Sequence, residues 1–347
     1  MRAEFASRRI DALLVTDIRN IRYLSGFTGS SAYILITSGK KFFLTDSRYT
    51  TQVTEEVNGY RVRIYKKALE AVTGIIALEK IGSLGFESDS LTYDTFLKLR
   101  KQLPGVRLKP APGITGKARV RKDPFEIDRI RDSARVLDAG FAAVARVIGG
   151  NVTEKEAASR IELAFREAGA DTLAFDTIVA SGPRAALPHG KASSKKIKKG
   201  ELVVVDMGVV LDGYNSDETR TFCVGRPTAE QRKVYATVLE AQSRAIEKTA
   251  PGVKASDVDA AARGVIEKAG YGKFFGHGTG HGVGLDVHEG PSIGPLAKGA
   301  LEEGMVITVE PGIYVPGWGG VRIEDMVLVT KDGFDVLTAT SKDLVSL

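Results

Sequence analysis

The pattern of apolar positions changes near residue 120. Before it, short apolar runs alternate with polar breaks: Ala12–Val15, Ala32–Thr37, Lys41–Leu44 and Arg61–Tyr65. Runs of strand length, with helical stretches such as Thr92–Leu103 between them, predict a small α/β domain with its own sheet. Residues 104–119 hold Pro104, Pro110, Pro112 and three glycines, the composition of a linker or domain edge. Beyond it the period becomes helical. Asp123 can cap, Pro124 falls at the first helical position and Glu126 completes a capping box. Ile127, Ile130, Ala134, Leu137 and Phe141 then recur at helical spacing, up to Gly149–Gly150. Thr153 with Glu156 opens a helix that stops before Gly169, and Thr228 with Gln231 opens another that ends by Pro251–Gly252. Ser256 or Asp257 begins a further one, ending at Gly270. With β-rich blocks between and after these helices, residues 121–347 read as an α+β domain following an α/β domain over residues 1–120.

The strand blocks contain an internal echo. Gly200-Glu-Leu-Val-Val-Val-Asp206-Met-Gly208 lines up with Gly304-Met-Val-Ile-Thr-Val-Glu310-Pro-Gly312. In each, an apolar strand follows a glycine and ends near a carboxylate and x-Gly. Each then passes through a Gly/Tyr turn to a second carboxylate, Asp217 after 11 residues and Glu324 after 14. The pairing points to two related strand–turn–strand units. Glu324 lies within Val321–Val329, a mostly apolar run that reads as one strand, where an ionised carboxylate is costly to bury without a partner. Four convergent carboxylates would repel one another unless two divalent cations offset their charge. Carboxylates with one imidazole suit Mn²⁺, Co²⁺, Fe²⁺ or Zn²⁺.

The chain has four histidines, and three of them, His277, His281 and His288, fall within twelve residues among the glycines at 276, 278, 280, 282 and 284. Alternating glycines disfavour a helix, and in an extended segment His277 and His281 share a face. With His189 beside Pro188, the set reads as one metal ligand plus groups for proton transfer or oxyanion stabilisation.

Composition removes other classes. Of 347 residues, 43% are hydrophobic and 27% charged, which is globular rather than disordered. The net charge of +6 is scattered; its densest run, Lys195–Lys199, reads as a solvated loop, and no nucleic-acid-binding motif accompanies it. No apolar run approaches the ~20 residues of a membrane span. The single cysteine, Cys223, excludes an intrachain disulfide and points to a cytoplasmic setting; in its apolar run it reads as a packed strand residue. No nucleophile elbow or phosphate-binding loop is present, which leaves water activated by two metals.

These motifs resemble the pita-bread metallopeptidases, specifically the prolidase and aminopeptidase P branch. The resemblance is carried by Val204–Gly208, Ser216–Thr221, His277–His281, His288–Glu289, Thr308–Tyr314 and Val321–Asp325, and covers about residue 120 to 347. The N-terminal third is similar to creatinase-type N-terminal domains, as in Asn20–Phe27. The resemblance implies two divalent ions, Mn²⁺ or Co²⁺ ahead of Zn²⁺ or Fe²⁺. Asp206 and Asp217 would bind one ion, Asp217, Glu324 and a hydroxide would bridge to the second, and His281 and Glu310 would complete it. It further implies that Glu310 accepts a proton from the attacking water and that His277 and His288 flank the scissile carbonyl. His189 would sit on a mobile loop closing over a proline ring, Arg322 would orient Glu324, and Tyr314 would line the pocket. The implied substrate is a peptide with proline at its second position, and the implied assembly is a homodimer whose partner's N-terminal domain borders the site.

One departure stands out. Several dipeptide-specific members carry an arginine shortly after the third histidine to hold the substrate carboxylate. Here Glu289–Gly294 contains no basic residue, and Ser292 is no replacement for a bidentate arginine. Either longer Xaa-Pro peptides are accepted or another residue performs the task. Prolidase activity is the leading expectation and aminopeptidase P the nearest rival. A metal-free amidinohydrolase and a non-catalytic binding protein of the same fold rank lower, because all five ligand types are kept.

Overall fold

The computed structural model describes residues 2–148 and 151–347. The chain divides into two compact units, Met1–Arg119 and Val120–Leu347.

The first unit is built on a mixed six-stranded sheet: β1 (Ala12–Val15), β2 (Ala32–Thr37), β3 (Lys41–Asp46), β4 (Arg61–Tyr65), β5 (Ser83–Phe86) and β6 (Arg107–Pro110), in the order β4-β3-β2-β1-β5-β6. Its central strands are apolar throughout because both faces are covered. Leu13 and Val15 join a core with Ile21, Phe27 and Phe43, whereas Ala12 and Leu14 join one with Val72, Ile76 and Phe86. The proline-rich segment 104–119 is more ordered than a linker. It supplies β6, which pairs parallel with β5, and Pro110 is accommodated because β6 is an edge strand.

In the second unit, among the described residues, two helix pairs back strands that form four sheets. Pro124–Val147, Glu154–Glu167 and Ala229–Lys248 each open with a complete capping box. The glycine stop expected for the first, Gly149–Gly150, lies outside the described residues. The fourth helix, Ala255–Lys268, starts earlier than expected, after Lys254 and without a side-chain cap. Ser256 and Asp257 sit inside its first turn, where Asp257 favours the helix dipole.

The strands of this unit are β7 (Thr172–Leu173), β8 (Ile178–Ser181), β9 (Leu202–Met207), β10 (Val209–Leu211), β11 (Tyr214–Asn215), β12 (Glu218–Cys223), β13 (Gly280–Gly282), β14 (Glu289–Ile293), β15 (Val306–Val309), β16 (Gly312–Val315), β17 (Gly319–Arg322), β18 (Asp325–Val329) and β19 (Phe334–Val336). The internal echo is visible as topology. β9 pairs antiparallel with β12 around the β10–β11 hairpin, and β15 pairs antiparallel with β18 around the β16–β17 hairpin. Strand alternation then sorts side chains. Val203, Val205 and Met207 pack with Leu137, Val144 and Phe165 of the first helix pair, and Ile307 and Val309 pack with Val238 and Val258 of the second. With a period of two, Asp206 points to the opposite face of its strand, as do Thr308 and, just beyond β15, Glu310.

The run Val321–Val329 is not one strand. It breaks at Ile323–Glu324, because β17 pairs with β16 while β18 pairs with β15 and β19. The Glu324 N–H instead donates to the Thr219 carbonyl of the other repeat, at 3.1 Å. Among the described residues no helix is long and apolar enough to cross a membrane. Cys223 is a buried free thiol in β12. The Lys195–Lys199 run is irregular, with Lys195 paired to Glu201 and Ile197 buried.

Helix packing in the first pair depends on Gly140, where an added Cβ would lie 2.2 Å from the Phe165 ring. Glycine costs about 1 kcal/mol against alanine in a helix, and here it makes room for that buried ring. Gly140→Val is expected to destabilise the protein by about 1–3 kcal/mol through overpacking. The check is the midpoint of urea or thermal unfolding, which should fall.

Candidate active site

Each repeat delivers two carboxylates to one cavity of about 470 Å³. Asp206 comes from the inward face of β9, Asp217 from the residue before β12, Glu310 from the residue after β15, and Glu324 from the break before β18. Asp206, Asp217 and Glu324 are buried and Glu310 is half-buried. Ligand atoms of Asp217, His281 and Glu324 all lie within 4.8 Å of one another. His281 Nε2 lies 3.7 Å from Asp217 Oδ2 and 3.3 Å from Glu310 Oε1.

Hydrogen bonds fix the tautomers of two histidines. His281 Nδ1 is 3.1 Å from the Gly282 carbonyl and His277 Nδ1 is 2.7 Å from that of Gly278. A carbonyl only accepts, so both Nδ1 atoms carry protons and both neutral rings present a lone pair at Nε2. His281 Nε2 faces the carboxylates: protonated, it donates to Glu310 Oε1, and deprotonated, it offers its lone pair to a cation. For His277 the lone pair faces the Tyr314 hydroxyl at 3.0 Å, so both ring nitrogens of His277 are engaged. His288 is exposed, with its ring centroid 4.2 Å from that of His281. His189 is also exposed and lines the cavity with Ser292. Ser292 of β14 is the register partner of His281.

The alternating glycines have a steric cause. A Cβ on Gly280 would lie 2.0 Å from the Thr308 carbonyl oxygen, so β13 carries its histidine only if its neighbours lack side chains. The preceding turn is tied to the helix Ala255–Lys268. Asp259 accepts from the Thr279 N–H and hydroxyl, and Arg263, paired with Asp259, donates to the Phe275 and His277 carbonyls.

Arg322 is buried and grips a different carboxylate from the one expected. Its Nη2 donates to Asp206 Oδ2 at 2.6 Å, Nη1 to the Tyr314 hydroxyl and the Pro188 carbonyl, and Nε to Thr219 Oγ1. Thr219 in turn donates to Glu324 Oε2 at 2.6 Å. Arg322 therefore reaches Glu324 only through Thr219, because the chain turns between β17 and β18 and the two side chains no longer share a strand face.

Burial and mutual repulsion make the ionised set expensive. Burial, then the charges of Glu324, Asp206 and Glu310, push Asp217 well above the usual aspartate range. Burial, then Glu310 and Asp206, do the same to Glu324. Burial also raises Asp206, against the pull of Arg322. Burial opposes charge on Glu310 and on His281 as well, but their mutual hydrogen bond outweighs it, lowering the carboxyl and raising the imidazole. Burial lowers His277; burial and then the charge of His281 lower His288. Burial pushes Tyr314 to about 12.

This donor set fits divalent cations. Asp206 Oδ1 is buried with no hydrogen-bond donor, the Thr219 proton being given to Glu324. Two ions of charge +2 would balance four carboxylates, and oxygen ligands with one imidazole suit hard or borderline metals.

Sequence reasoning missed the groups that support these side chains. Thr219 and Thr308 stand two residues from ligand-type carboxylates, Asp217 and Glu310, and the Thr308 hydroxyl accepts from the His281 N–H while donating to Glu310. That spacing was a usable signal. Phe175, Asp176 and Lys191 also line the cavity, and no local pattern announces them.

Comparison with known proteins agrees with this architecture. Residues 128–331 match metallopeptidase family M24, and residues 1–121 match the creatinase/prolidase N-terminal domain. The chain is 42% identical to the Xaa-Pro dipeptidase of Pyrococcus horikoshii, covering 97% of this chain and 95% of that one. It superposes on the structure of an Xaa-Pro dipeptidase from Bacillus anthracis with a TM-score of 0.98 at 39% identity, covering 100% of this chain and 98% of the other. An X-Pro aminopeptidase from Thermotoga maritima gives 0.91 at 37% identity, over 99% and 100% of the two chains. The chain belongs to metallopeptidase family M24 and works with divalent metal ions, its pita-bread domain following a creatinase/prolidase N-terminal domain.

Proposed function

We propose that this protein is an Xaa-Pro dipeptidase, hydrolysing the imide bond of a dipeptide whose second residue is proline. One observation carries the reading: four carboxylates from two strand–turn–strand repeats converge on His281 in a cavity large enough for a small peptide. The dipeptidases of P. horikoshii and B. anthracis, similar over the full length, support the same substrate class.

Asp206, Asp217, His281, Glu310 and Glu324 would hold two ions, Mn²⁺ or Co²⁺ ahead of Zn²⁺ or Fe²⁺. When bound, such ions polarise the scissile carbonyl and make water a competent nucleophile at neutral pH. Glu310 takes the proton released as water attacks the carbonyl carbon. The C–N bond then breaks and the proline nitrogen leaves with a proton. His288, exposed at the cavity wall, is the group placed to relay it. His277 holds the Tyr314 hydroxyl in place, and Tyr314 with Arg322 fixes Asp206 and the Pro188 carbonyl, leaving His189 to cover the proline ring. We assign residues 121–347 to catalysis and residues 1–120 to dimerisation, in a cytoplasmic homodimer. The single buried thiol suits a reducing compartment.

A second reading, aminopeptidase P activity on longer peptides, is favoured by Ser292, exposed on a cavity wall whose stretch Glu289–Gly294 is without a cation, and by the T. maritima neighbour. Metal-stripped protein reconstituted with Mn²⁺ or Co²⁺ separates the two when offered Met-Pro and Met-Pro-Ala. Methionine release from Met-Pro, dependent on metal, is the expected result; release from the tripeptide alone would establish the second reading. Glu324→Ala and His281→Ala should each lower turnover by about a thousandfold or more while unfolding curves stay cooperative. Thr219→Val, which removes the hydroxyl between Arg322 and Glu324, should weaken metal affinity by about 10–100-fold, measured by competition with a chromogenic chelator.

A further inference from the structure

An Xaa-Pro dipeptide carries its own negative charge to this site. Its carboxylate lies one residue beyond the scissile bond and enters a cavity walled by Asp206, Asp217, Glu310 and Glu324. Two divalent ions would offset those four charges, and the remaining positive charge, that of Arg322, is held at 2.6 Å by Asp206 Oδ2 rather than offered to a fifth carboxylate. A cation from the protein is needed, and among the described lining residues two lysine or arginine side chains qualify, Arg322 and Lys191. Arg322 is spent: its three nitrogens bond Asp206, Tyr314, the Pro188 carbonyl and Thr219.

Lys191 is differently placed. Its ammonium is 83% exposed and pairs with Asp176 Oδ2 at 3.0 Å, itself 79% exposed. A pair so open to water is weak and exchanges readily. Its backbone, by contrast, is anchored. Glu154, at the start of the helix Glu154–Glu167 and with a fully buried carboxylate, accepts from the N–H and hydroxyl of both Ser181 and Ser193 and from Arg184 Nε. Arg184 Nη2 also donates to the Lys191 carbonyl at 2.6 Å. One carboxylate thus closes both ends of the segment that carries Pro188, His189 and Lys191, and a flexible charged stem rises from a fixed base at the cavity.

We propose that Lys191 is a specificity-determining residue that receives the terminal carboxylate of the dipeptide, giving up Asp176 to do so. This rests on the dipeptidase reading above and supplies the cation that Glu289–Gly294 lacks. It also gives Asp176 a role, as the competitor that holds the ammonium between turnovers.

The test compares Met-Pro with Met-Pro-amide, which lacks the charge, in the metal-loaded parent and in Lys191→Ala, Lys191→Arg and Asp176→Asn. For an amide that binds without being cut, its inhibition constant is read in place of KM. Lys191→Ala should raise KM for Met-Pro by about tenfold, change kcat little, and affect the amide much less. Lys191→Arg should restore KM, and Asp176→Asn should lower it. An unchanged KM for Met-Pro in Lys191→Ala, or an equal rise for both ligands, overturns the assignment of Lys191. A parent that cleaves neither peptide overturns the dipeptidase reading instead, and the role of Lys191 with it.

Discussion

Mutual repulsion among buried carboxylates is the constraint on which this domain is built. Asp206, Asp217, Glu310 and Glu324 gather in one water-poor place, and burial alone makes each negative charge costly. The protein offers one fixed counter-charge, Arg322, and spends it on Asp206. It offers one strong donor to Glu324, the Thr219 hydroxyl. With the His281 and Thr308 contacts to Glu310 added, these still fall short of four charges, so the site calls for cations. The site is therefore a binding requirement written into the core rather than a cavity that happens to accept metal.

Rigid elements hold the repelling groups in register. Each repeat presents one face of a strand to a helix pair and the other to the cavity, so apolar burial behind Asp206 and Thr308 fixes what stands in front of them. The two repeats are then stitched at their second carboxylates. The Glu324 N–H meets the Thr219 carbonyl, and Thr221 Oγ1 bonds both the N–H and the carbonyl of Arg322. Behind this seam Arg220, fully buried, binds Asp325 and donates to the Thr219 and Glu324 carbonyls. A shift of one repeat against the other would break these bonds before it separated the carboxylates.

What the sequence disclosed about this arrangement was local. Capping boxes at Asp123, Thr153 and Thr228, and the paired Gly-strand-carboxylate units, are short-range codes, and they gave the helix starts and the repeat. The features that escaped depend on which strand pairs with which. Val321–Val329 reads as one strand by hydrophobicity, yet β17 and β18 have different partners, which turns Arg322 from Glu324 towards Asp206. β6 was hidden by its prolines because only its position at a sheet edge makes them tolerable. Lys191 and Asp176 carry no local signature, since their relation to the cavity comes from Glu154, whose carboxylate closes the loop from a helix 27 residues before Ser181.

The same tertiary logic divides labour among chemically identical histidines. His277 and His281 both donate Nδ1–H to the next carbonyl, so each presents the same atom, Nε2, to its surroundings. What meets that atom decides its use. His281 Nε2 meets the carboxylates of Asp217 and Glu310, and Glu310 raises its basicity; a phenol held by Arg322 makes His277 an acceptor, and burial disfavours its charged form. His288, exposed beside a ring that carries the higher basicity, is left with no comparable duty and with access to solvent. A proton relay needs that access, and a ligand or an orienting group needs its opposite. Three histidines that spacing alone could only group together are thus separated by the groups their rings meet.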